Sequence, residues 1–371
     1  MSSALDLLAD LIRFRTIGGG EGAAARHCAG ITEKAGMGTQ LLGWADGREQ
    51  LVARTPGDGP PLTFTGHLDT VPVDAADWSA DPWGAERDGD RVVGRGTSDM
   101  KSGVAAAVIA AVEHASRPHD CRGVQLVLTA GEETGCTGLF GLDDRARSAI
   151  AGGGPLVVAE PTGNELVLGH KGAHWMRLRA TGRSAHGSAP ELGDNAVVRL
   201  ARAGVALHEF DGWPSDERFG RVTANVGMFS GGVATNVVPA AAELMLDIRT
   251  LPGVDPDELR TQVGALAGDK VSVADHVLLA PVDTSADDPF VGLVRSTLAD
   301  AGLDDTPAAP ARYFTDASVL AGLLGAGAAV PTVVLGPGET AQCHVVDEWC
   351  LASRVDQAVE VYGALLARWC G

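Results

Sequence analysis

The pattern of hydrophobic and polar positions changes twice along the chain. Through the first 170 residues, helical spacing of apolar residues predicts helices over 3–15, 22–36 and 99–116. Continuous apolar runs between them predict strands at "QLVAR" (50–54), "LTFTGH" (62–67), "GVQLVLTAG" (123–131) and "PLVVAE" (155–160). Strands that are apolar on both faces and alternate with helices are typical of an α/β protein. We therefore predict a doubly wound, mostly parallel sheet.

The middle of the chain follows a second pattern, in which apolar and polar residues alternate along the strands. Predicted helices near 194–210 and 255–268 interleave with four such strands, giving the order β-α-β-β-α-β. The four strands are "AHWMRLRATG" (173–182), "RVTANVGMFSGG" (221–232), "AAELMLDIRT" (241–250) and "KVSVADHVLL" (270–279). This order predicts a smaller α+β, ferredoxin-like domain over residues 171–280.

Near residue 281 the first pattern resumes. It predicts a helix over 288–302, the strand "PTVVLGPG" and a final helix that runs to residue 371. The sequence therefore predicts one domain made of residues 1–170 and 281–371, interrupted by the inserted domain. A length of 371 residues agrees with two domains.

Composition and charge exclude several classes of function. The net charge of −19 argues against nucleic-acid binding, which needs a basic face. No stretch reaches the roughly 18 apolar residues of a membrane helix. The start "MSSALDLLADLIRF" predicts an amphipathic helix capped by Ser3 and not a signal peptide. Six cysteines without a CxxC pair favour reduced thiols and a cytoplasmic protein; they are Cys28, Cys121, Cys136, Cys343, Cys350 and Cys370.

Polar residues collect where the predicted strands end. Ligands of open parallel sheets bind beyond the carboxyl ends of the strands. The residues at these ends, or at the start of the small-residue helix, are His67, Asp69, Asp99, Glu132, Glu133, Glu160 and His344. Clustered carboxylates repel one another and need a cation. Two histidines with carboxylates and no thiolate favour Zn²⁺ first, with Co²⁺ or Mn²⁺ as alternatives. One carboxylate shared between two ions would give a metal pair about 3.5–4 Å apart.

Each of these residues also has a simpler interpretation. The pair Glu132 and Glu133 fits a solvated loop tip, and Asp99 fits the N-cap of the helix that follows. A lone histidine after a strand is usually not a ligand. The combination of four strand ends that carry histidine or glutamate favours a binding site over these separate explanations.

Seven motifs together resemble one large family, the dinuclear zinc amidohydrolases and metallopeptidases. That family includes acetylornithine deacetylase, succinyl-diaminopimelate desuccinylase, aminoacylases and glutamate-releasing carboxypeptidases. The motifs occur in the family's order between about residue 60 and residue 349; they are "GHLDTVP", "GRGTSDMKSG", "TAGEETG", "AEPT", "GRSAHGSAP", "GGVATNVVPAAAELMLDIR" and "AQCHVVDEW".

The resemblance implies a role for each residue of the first domain. It makes His67 and Glu160 the ligands of one zinc ion, Glu133 and His344 the ligands of a second, and Asp99 the bridge between them. Asp69 would hydrogen-bond the imidazole of His67, and Glu132 would be the general base. The implied reaction is hydrolysis of a linear amide by a zinc-activated water, whose proton Glu132 passes to the leaving amine.

The resemblance also implies roles for the inserted domain. His186 would reach the active site of the other subunit of a homodimer and stabilise the oxyanion. Asn236 and Arg249 match positions that contact substrate, and the guanidinium of Arg249 suits an α-carboxylate. The simpler alternatives are that His186 is an ordinary surface histidine and that Arg249 forms an ion pair with Asp247.

The motifs leave the substrate open. "YFTDASVL" and "LGPGETAQCHVVDEW" are most similar to the acetylornithine deacetylase branch, which favours an N-acetylated basic amino acid. Thr315 and Asp316 then either line the substrate pocket or cap a helix. Desuccinylation and cleavage of a peptide bond by a carboxypeptidase or dipeptidase are the alternatives. A non-catalytic binding protein on the same fold is the remote one, because fold does not fix function.

Overall fold

The computed structural model describes residues 3–116 and 122–371 of the chain. Its helices are α1 (Ala4–Arg13), α2 (Glu21–Lys34), α3 (Ser102–Ala115), α4 (Thr137–Phe140), α5 (Asp144–Ile150), α6 (Ala196–Glu209), α7 (Pro256–Ala267), α8 (Pro289–Asp300), α9 (Ala317–Leu324) and α10 (Ala352–Cys370). Its strands are β1 (Gly38–Ala45), β2 (Arg48–Arg54), β3 (Leu62–His67), β4 (Glu86–Asp88), β5 (Arg91–Val93), β6 (Val124–Thr129), β7 (Leu156–Val158), β8 (Gly169–His170), β9 (Gly172–Thr181), β10 (Ser215–Asp216), β11 (Gly220–Arg221), β12 (Thr223–Gly231), β13 (Ala241–Thr250), β14 (Val271–Leu279), β15 (Val282–Asp283), β16 (Thr332–Val334) and β17 (Trp349–Leu351).

The described chain divides into two compact units. The first comprises the chain up to Gly169 together with Asp283–Ala309 and Thr315–Gly371. The second comprises His170–Val282 and the short segment Pro310–Phe314. The boundaries at 170/171 and 280/281 that the sequence predicts lie within two residues of these, and nothing in the pattern indicates that 310–314 belongs to the second unit.

The first unit is built on a six-stranded sheet with the order β1-β2-β6-β3-β7-β16. Strands β6, β3, β7 and β16 are parallel, and the β1-β2 hairpin adds an antiparallel edge. The strands β3 and β6 are buried at every position. Burial on both faces is what the continuous apolar runs predict, so the mostly parallel α/β fold is confirmed.

Helices cover the parallel part of this sheet because its strands β3, β6, β7 and β16 are buried at every position. One core cluster joins residues of α1, α2, α3, α8 and α10 to the strands, and it includes a ring contact between Phe64 and Tyr362. Helix α9 contacts α5 and β7. A small antiparallel sheet, β17-β5-β4, completes the unit. Its three-residue strands are too short to give an alternating pattern, and they were not predicted.

The second unit is a four-stranded antiparallel sheet with the order β12-β13-β9-β14. Numbered along the chain, its strands have the order 2-3-1-4, which is the ferredoxin-like arrangement that the sequence predicts. Apolar residues of α6 and α7 pack with the sheet in a separate core cluster that includes Met176, Leu200, Leu246 and Val263. The alternation along β13, where every second residue is buried, reflects this one-sided packing.

Local predictions have mixed outcomes. Ser3 caps α1 and forms a capping box with Asp6, as the sequence predicts. Strand β1, whose side chains are mostly exposed, was not predicted. Cys28, Cys136, Cys343 and Cys350 are free thiols, as expected. Cys370 is disulfide-bonded, so the expectation is wrong there, and Cys121 lies outside the described residues.

Within residues 3–116 and 122–371, no helix combines the length and the apolar character that crossing a bilayer requires.

Candidate metal centre

The sheet of the first unit brings the predicted polar residues to one edge. His67 is the last residue of β3, the turn with Glu132 and Glu133 follows β6, and Glu160 lies two residues beyond β7. These strands are parallel neighbours, so their carboxyl ends lie side by side. His344 arrives from the loop before β17, with a left-handed φ of 63°.

Asp99 lies in the turn Thr97–Lys101 that leads into α3, and its peptide bond with Met100 is cis. The start of α3 packs closely against the end of β7. A Cβ atom added to Gly103 would lie 1.9 Å from the carbonyl oxygen of Ala159, so only glycine permits this approach. The small residue therefore places the turn of Asp99 next to the strand end that carries Glu160.

The two oxygens of Asp99 face two different histidines. Oδ1 lies 3.1 Å from Nε2 of His67, and Oδ2 lies 3.3 Å from Nε2 of His344. Each histidine has a second carboxylate partner: Glu160 Oε1 lies 3.8 Å from His67, and Glu133 Oε2 lies 3.2 Å from His344. Two groups, each with one imidazole and one carboxylate, therefore share Asp99.

This donor set fits a metal centre. One ligand atom each from His67, Asp99 and Glu133 lie within 4.8 Å of one another. Within residues 3–116 and 122–371, the second oxygen of Glu133, Oε1, is buried without a hydrogen-bond partner, which is unfavourable for a carboxylate unless a cation lies beside it. Imidazole and carboxylate ligands without thiolate suit Zn²⁺ and the neighbouring divalent metals.

Asp69 holds the turn that carries the two glutamates. Its Oδ1 accepts hydrogen bonds from the main-chain N–H of Gly131 at 2.8 Å and of Glu132 at 3.3 Å. Its Oδ2 accepts from the N–H of Glu133 at 3.1 Å. One carboxylate therefore satisfies three consecutive donors of the turn and holds the main chain from which both glutamate side chains project.

The predicted hydrogen bond between the carboxylate of Asp69 and His67 is corrected by this geometry. Nδ1 of His67 lies 2.9 Å from the main-chain carbonyl oxygen of Asp69 and 3.8 Å from its Oδ1. The carbonyl accepts the Nδ1 proton, which leaves Nε2 free to face Asp99. The tautomer is thus set by residue 69, as the sequence predicts, but through its main chain.

Burial shapes the electrostatics of the centre. Burial raises the pKa of Glu132 well above its ordinary value, and the charges of Glu160, Asp316 and Glu133 raise it further. Burial opposes the charge of Asp99 as well, but the contacts with His344 and His67 outweigh it, so the pKa of Asp99 is lowered. Neighbouring carboxyl groups whose pKa values are shifted in opposite directions are typical of acid–base centres.

Asp316 is a buried acid close to this cluster. The sequence left two roles open for it, lining the substrate pocket or capping a helix. It does not cap α9 through its side chain; instead, its Oδ2 accepts a hydrogen bond from the hydroxyl of Thr129, the last residue of β6. Burial raises its pKa to about 6. The helix-cap alternative is therefore wrong for Asp316, which belongs to the acidic surroundings of Glu132. It holds for Thr315, whose Oγ1 accepts the N–H of Ala317, the first residue of α9, at 3.1 Å.

In the second unit, His186 and Asn236 lie on two paired loops. His186 bridges to Val237, and the N–H of Gly187 donates to the carbonyl oxygen of Asn236 at 2.7 Å. Both predicted residues are exposed. The N–H of Ser188 donates to Nδ1 of His186 at 3.2 Å, so in the neutral imidazole the proton is on Nε2.

Arg249, at the end of β13, lies in a group of cations. Its Nε contacts Asp247 at 3.0 Å, and its guanidinium lies 5.0 Å from the ring centre of Phe314. The ion pair that was the simpler alternative is therefore present. Lys171 is buried, and its pKa is lowered by that burial and by the charges of Arg312 and Arg249. The sequence motifs contained neither Lys171 nor Arg312 as candidates.

The model of peptidase family M20/M25/M40 matches residues 63–368, most of the chain. This protein belongs to that family. Its members are metal-dependent, and this chain is a hydrolytic enzyme that acts on amide bonds. The resemblance that the sequence motifs indicated is confirmed.

Relatives within the M20 family carry different activities in their names. The acetylornithine deacetylase of Vibrio campbellii is 28% identical over 349 residues, 90% of this chain and 88% of that protein. A probable succinyl-diaminopimelate desuccinylase of Staphylococcus aureus is 26% identical over 394 residues, 97% of this chain and 98% of that protein. An M20 family metallo-carboxypeptidase from Sulfolobus solfataricus has the same fold, with a TM-score of 0.81 at 20% identity over 100% and 99% of the two chains.

Proposed function

We propose that this enzyme hydrolyses the amide bond of an N-acyl L-amino acid, with an N-acetylated basic amino acid such as N-acetylornithine as the lead substrate. The observation that carries the proposal is the shared carboxylate: Asp99 faces His67 with one oxygen and His344 with the other. Two ions held in this way would be ligated by His67 and Glu160, and by His344 and Glu133, with Asp99 between them. We propose zinc, for which Co²⁺ or Mn²⁺ can substitute.

Glu132 is the proposed general base. When bound, such a metal ion polarises the amide carbonyl and brings the pKa of a coordinated water to about 7. The buried carboxylate of Glu132 accepts a proton from the attacking water and later delivers it to the leaving amine. Its raised pKa supports this shuttle, because a carboxylate with a raised pKa accepts a proton from water more readily than an ordinary glutamate does.

His186 is the proposed donor to the oxyanion that forms when the amide carbonyl is attacked. Its Nδ1 accepts the N–H of Ser188, so Nε2–H is the group left to donate. We propose that it acts in the active site of a second subunit, with Asn236 beside it. The homodimer would form through the second unit. The edge strand β12 supports this, because it exposes Met228 and Phe229 next to unpaired main-chain groups.

Arg249 is the proposed ligand of the substrate α-carboxylate, which its planar guanidinium can bind through two parallel hydrogen bonds. A second candidate function is favoured by the surrounding cations. Lys171 and Arg312 add two positive charges near Arg249, whereas Asp247 is paired with Arg249 itself. A substrate with a further carboxylate on its acyl group, as in desuccinylation, would balance these charges better than a basic amino acid.

The test is amine release from a panel of substrates by metal-depleted protein with and without added Zn²⁺ or Co²⁺. The panel contains N-acetyl, N-formyl and N-succinyl amino acids with basic and acidic side chains, and dipeptides. Metal-dependent release that is fastest from N-acetylornithine supports the lead substrate. Preference for succinyl-diaminopimelate supports the second candidate, and preference for a dipeptide indicates a peptidase. Bound metal without any turnover on the panel would contradict the proposed reaction.

Two further parts of the proposal need their own measurements. The molar mass in solution, measured by light scattering, tests the homodimer: twice the mass of the 371-residue chain is expected. A charged residue in place of Met228 should then lower that mass to one chain. We also propose a cytoplasmic location, which the free thiols of Cys28, Cys136, Cys343 and Cys350 support and the disulfide of Cys370 opposes.

A further inference from the structure

Like Asp69, Glu348 is a buried acid of the first unit, and it holds the turn that carries Asp99 through hydrogen bonds. Its side chain is fully buried, directly before strand β17. Four hydrogen-bond donors converge on its carboxylate. Oε2 accepts from Nη1 of Arg95 at 2.7 Å and from the N–H of Gly96 at 2.9 Å. Oε1 accepts from the N–H of Ser98 at 2.8 Å and of Asp99 at 3.0 Å.

The main chain around Glu348 holds the same turn a second time. The carbonyl oxygen of Glu348 accepts the N–H of Gly94 at 2.9 Å, and that of Trp349 accepts the hydroxyl of Ser98 at 2.7 Å. Gly96 has a φ of 84°, a left-handed conformation that suits glycine. The turn Gly94–Asp99 is thus hydrogen-bonded to residues 348 and 349 from its first residue to its last.

The position of Glu348 in the sequence connects two of the candidate ligands. His344 lies four residues before Glu348, and Asp99 donates its own N–H to Glu348. The contact of 3.3 Å between Asp99 Oδ2 and His344 Nε2 therefore joins two segments that Glu348 also holds together. Displacing the turn would move Asp99 relative to His344, and to His67 on the other side.

We propose that Glu348 is a positioning residue that sets the place of the shared carboxylate Asp99 between the two histidines. This inference rests on the proposed function, because it takes Asp99 as the ligand shared by two metal ions. Among the described residues, the carboxylate of Glu348 contacts three main-chain N–H groups and the guanidinium of Arg95, and it acts by holding these donors. Neighbours that orient metal ligands typically change metal affinity by about 10- to 100-fold when they are replaced.

The test compares Glu348→Gln with Glu21→Gln. The amide of glutamine presents N–H groups where Arg95 and Gly96 also donate, so two of the four hydrogen bonds are lost. Glu21 is a matched control: it is equally buried in this unit, and its carboxylate is likewise paired with an arginine, Arg48, away from the centre. Both substitutions remove a buried ion pair and should lower the thermal stability.

Metal binding separates the two variants. Zinc affinity of the metal-depleted proteins is measured by competition with a chromophoric chelator, and the visible spectrum is recorded with Co²⁺. We expect about 10- to 100-fold weaker zinc binding and an altered Co²⁺ spectrum for Glu348→Gln, with wild-type values for Glu21→Gln. Wild-type affinity and spectrum in folded Glu348→Gln would overturn the positioning role. Equal losses in both variants would overturn it as well, because the effect would then belong to any buried acid.

If Glu348→Gln does not fold, Glu348→Asp replaces it. The shorter side chain keeps the charge but cannot span all four donors, so an intermediate loss of zinc affinity is expected, and an unchanged affinity would overturn the role. Failure of the proposed function has a different signature. Wild-type protein that binds no zinc would contradict the metal centre itself, whereas wild-type and Glu348 variants that bind zinc equally would contradict only the role of Glu348.

Discussion

The metal centre of the first unit and the His186 loop of the second unit hold their functional side chains in opposite ways. In the first unit the carboxylates of Asp69 and Glu348 are buried and together accept six main-chain N–H hydrogen bonds from two turns. In the second unit His186 is exposed and is held by its neighbour Ser188. Replacing Asp69 or Glu348 should therefore affect both the stability of the fold and the metal centre. Replacing His186 should affect function with little effect on stability.

The largest effect is expected for Glu132→Gln. The amide cannot accept and return a proton, so kcat should fall by about 10²- to 10⁴-fold, the usual contribution of a general base. The shape of the side chain is kept and the three N–H contacts of Asp69 use the main chain, so zinc content should stay at the wild-type level. The check is kcat together with metal analysis of the same preparation.

The control for this variant is Glu165→Gln, the same substitution at an exposed position of the same unit. It should match the wild type in both measurements. If Glu132→Gln turns over at the wild-type rate, another group must be the base. If it loses both turnover and zinc, Glu132 serves the metal centre and not the proton transfer.

Replacement of His186 by alanine tests the other side of the comparison. Loss of one donor to an oxyanion typically lowers kcat by about 10²- to 10³-fold. Because the side chain is exposed, the free energy of unfolding should change by less than about 0.5 kcal/mol, and zinc affinity should not change. The measurements are kcat, thermal unfolding and zinc competition.

His208→Ala is the matched control, an exposed histidine in the last turn of α6. It should leave kcat at the wild-type value. Equal activity of the two variants would contradict the oxyanion role. Mixing His186→Ala with Glu132→Gln sharpens the test: if His186 acts across a dimer, mixed dimers should regain part of the activity that neither variant has alone.

The same contrast explains what the sequence could predict. Strand ends such as those of His67, Glu132 and Glu160 follow buried apolar runs, so periodicity and the rule for parallel sheets indicate where they lie. The insertion of the second unit was predictable for the same reason, since its strands alternate where those of the first unit are continuous. The roles of individual ligands came from the family motifs and not from periodicity.

The contacts that orient these residues were not predictable from the pattern. Glu348 follows Asp347, and two adjacent acids usually indicate an exposed loop; only the tertiary structure shows four donors around the second one. The family resemblance assigned the carboxylate of Asp69 to His67, whereas that carboxylate accepts hydrogen bonds from a turn more than 60 residues away. Such long-range hydrogen bonds leave no periodic signal in the chain.

Asp69→Asn should have a smaller effect than the two preceding substitutions. Asparagine keeps one acceptor oxygen and turns an N–H₂ group towards donors, so the turn of Glu132 and Glu133 loosens. We expect zinc affinity to fall by about 10- to 100-fold, with a lower Tm. Asp143→Asn is the control, because that side chain also accepts a main-chain N–H, from Ala146 at 2.8 Å, but at the start of α5. Zinc affinity that falls equally in both variants would contradict the special role of Asp69.

The smallest effect is a dependence of zinc affinity on pH. In the metal-free protein the hydrogen bonds of His344 to Asp99 and then to Glu133 raise the pKa of its imidazole to about 10. The imidazole is therefore protonated at neutral pH, whereas a ligand must present a free lone pair, so binding must release a proton. Burial also raises the pKa of Glu160, so protons compete with metal for this carboxylate more strongly than for an ordinary glutamate.

The sign of this dependence follows directly. As the pH rises towards the pKa of His344, the proton becomes easier to remove, so zinc affinity should rise by at least about tenfold per pH unit between about pH 6.5 and about pH 8.5. Calorimetry in buffers of different ionisation enthalpy should count the released protons at each pH. The His186→Ala variant should show the same slope, because its unit contributes none of the proposed ligands. A zinc affinity that does not change with pH in the wild type would mean that His344 binds no metal. A different slope in His186→Ala would mean that the His186 loop affects metal binding, which would contradict the independence of the two regions.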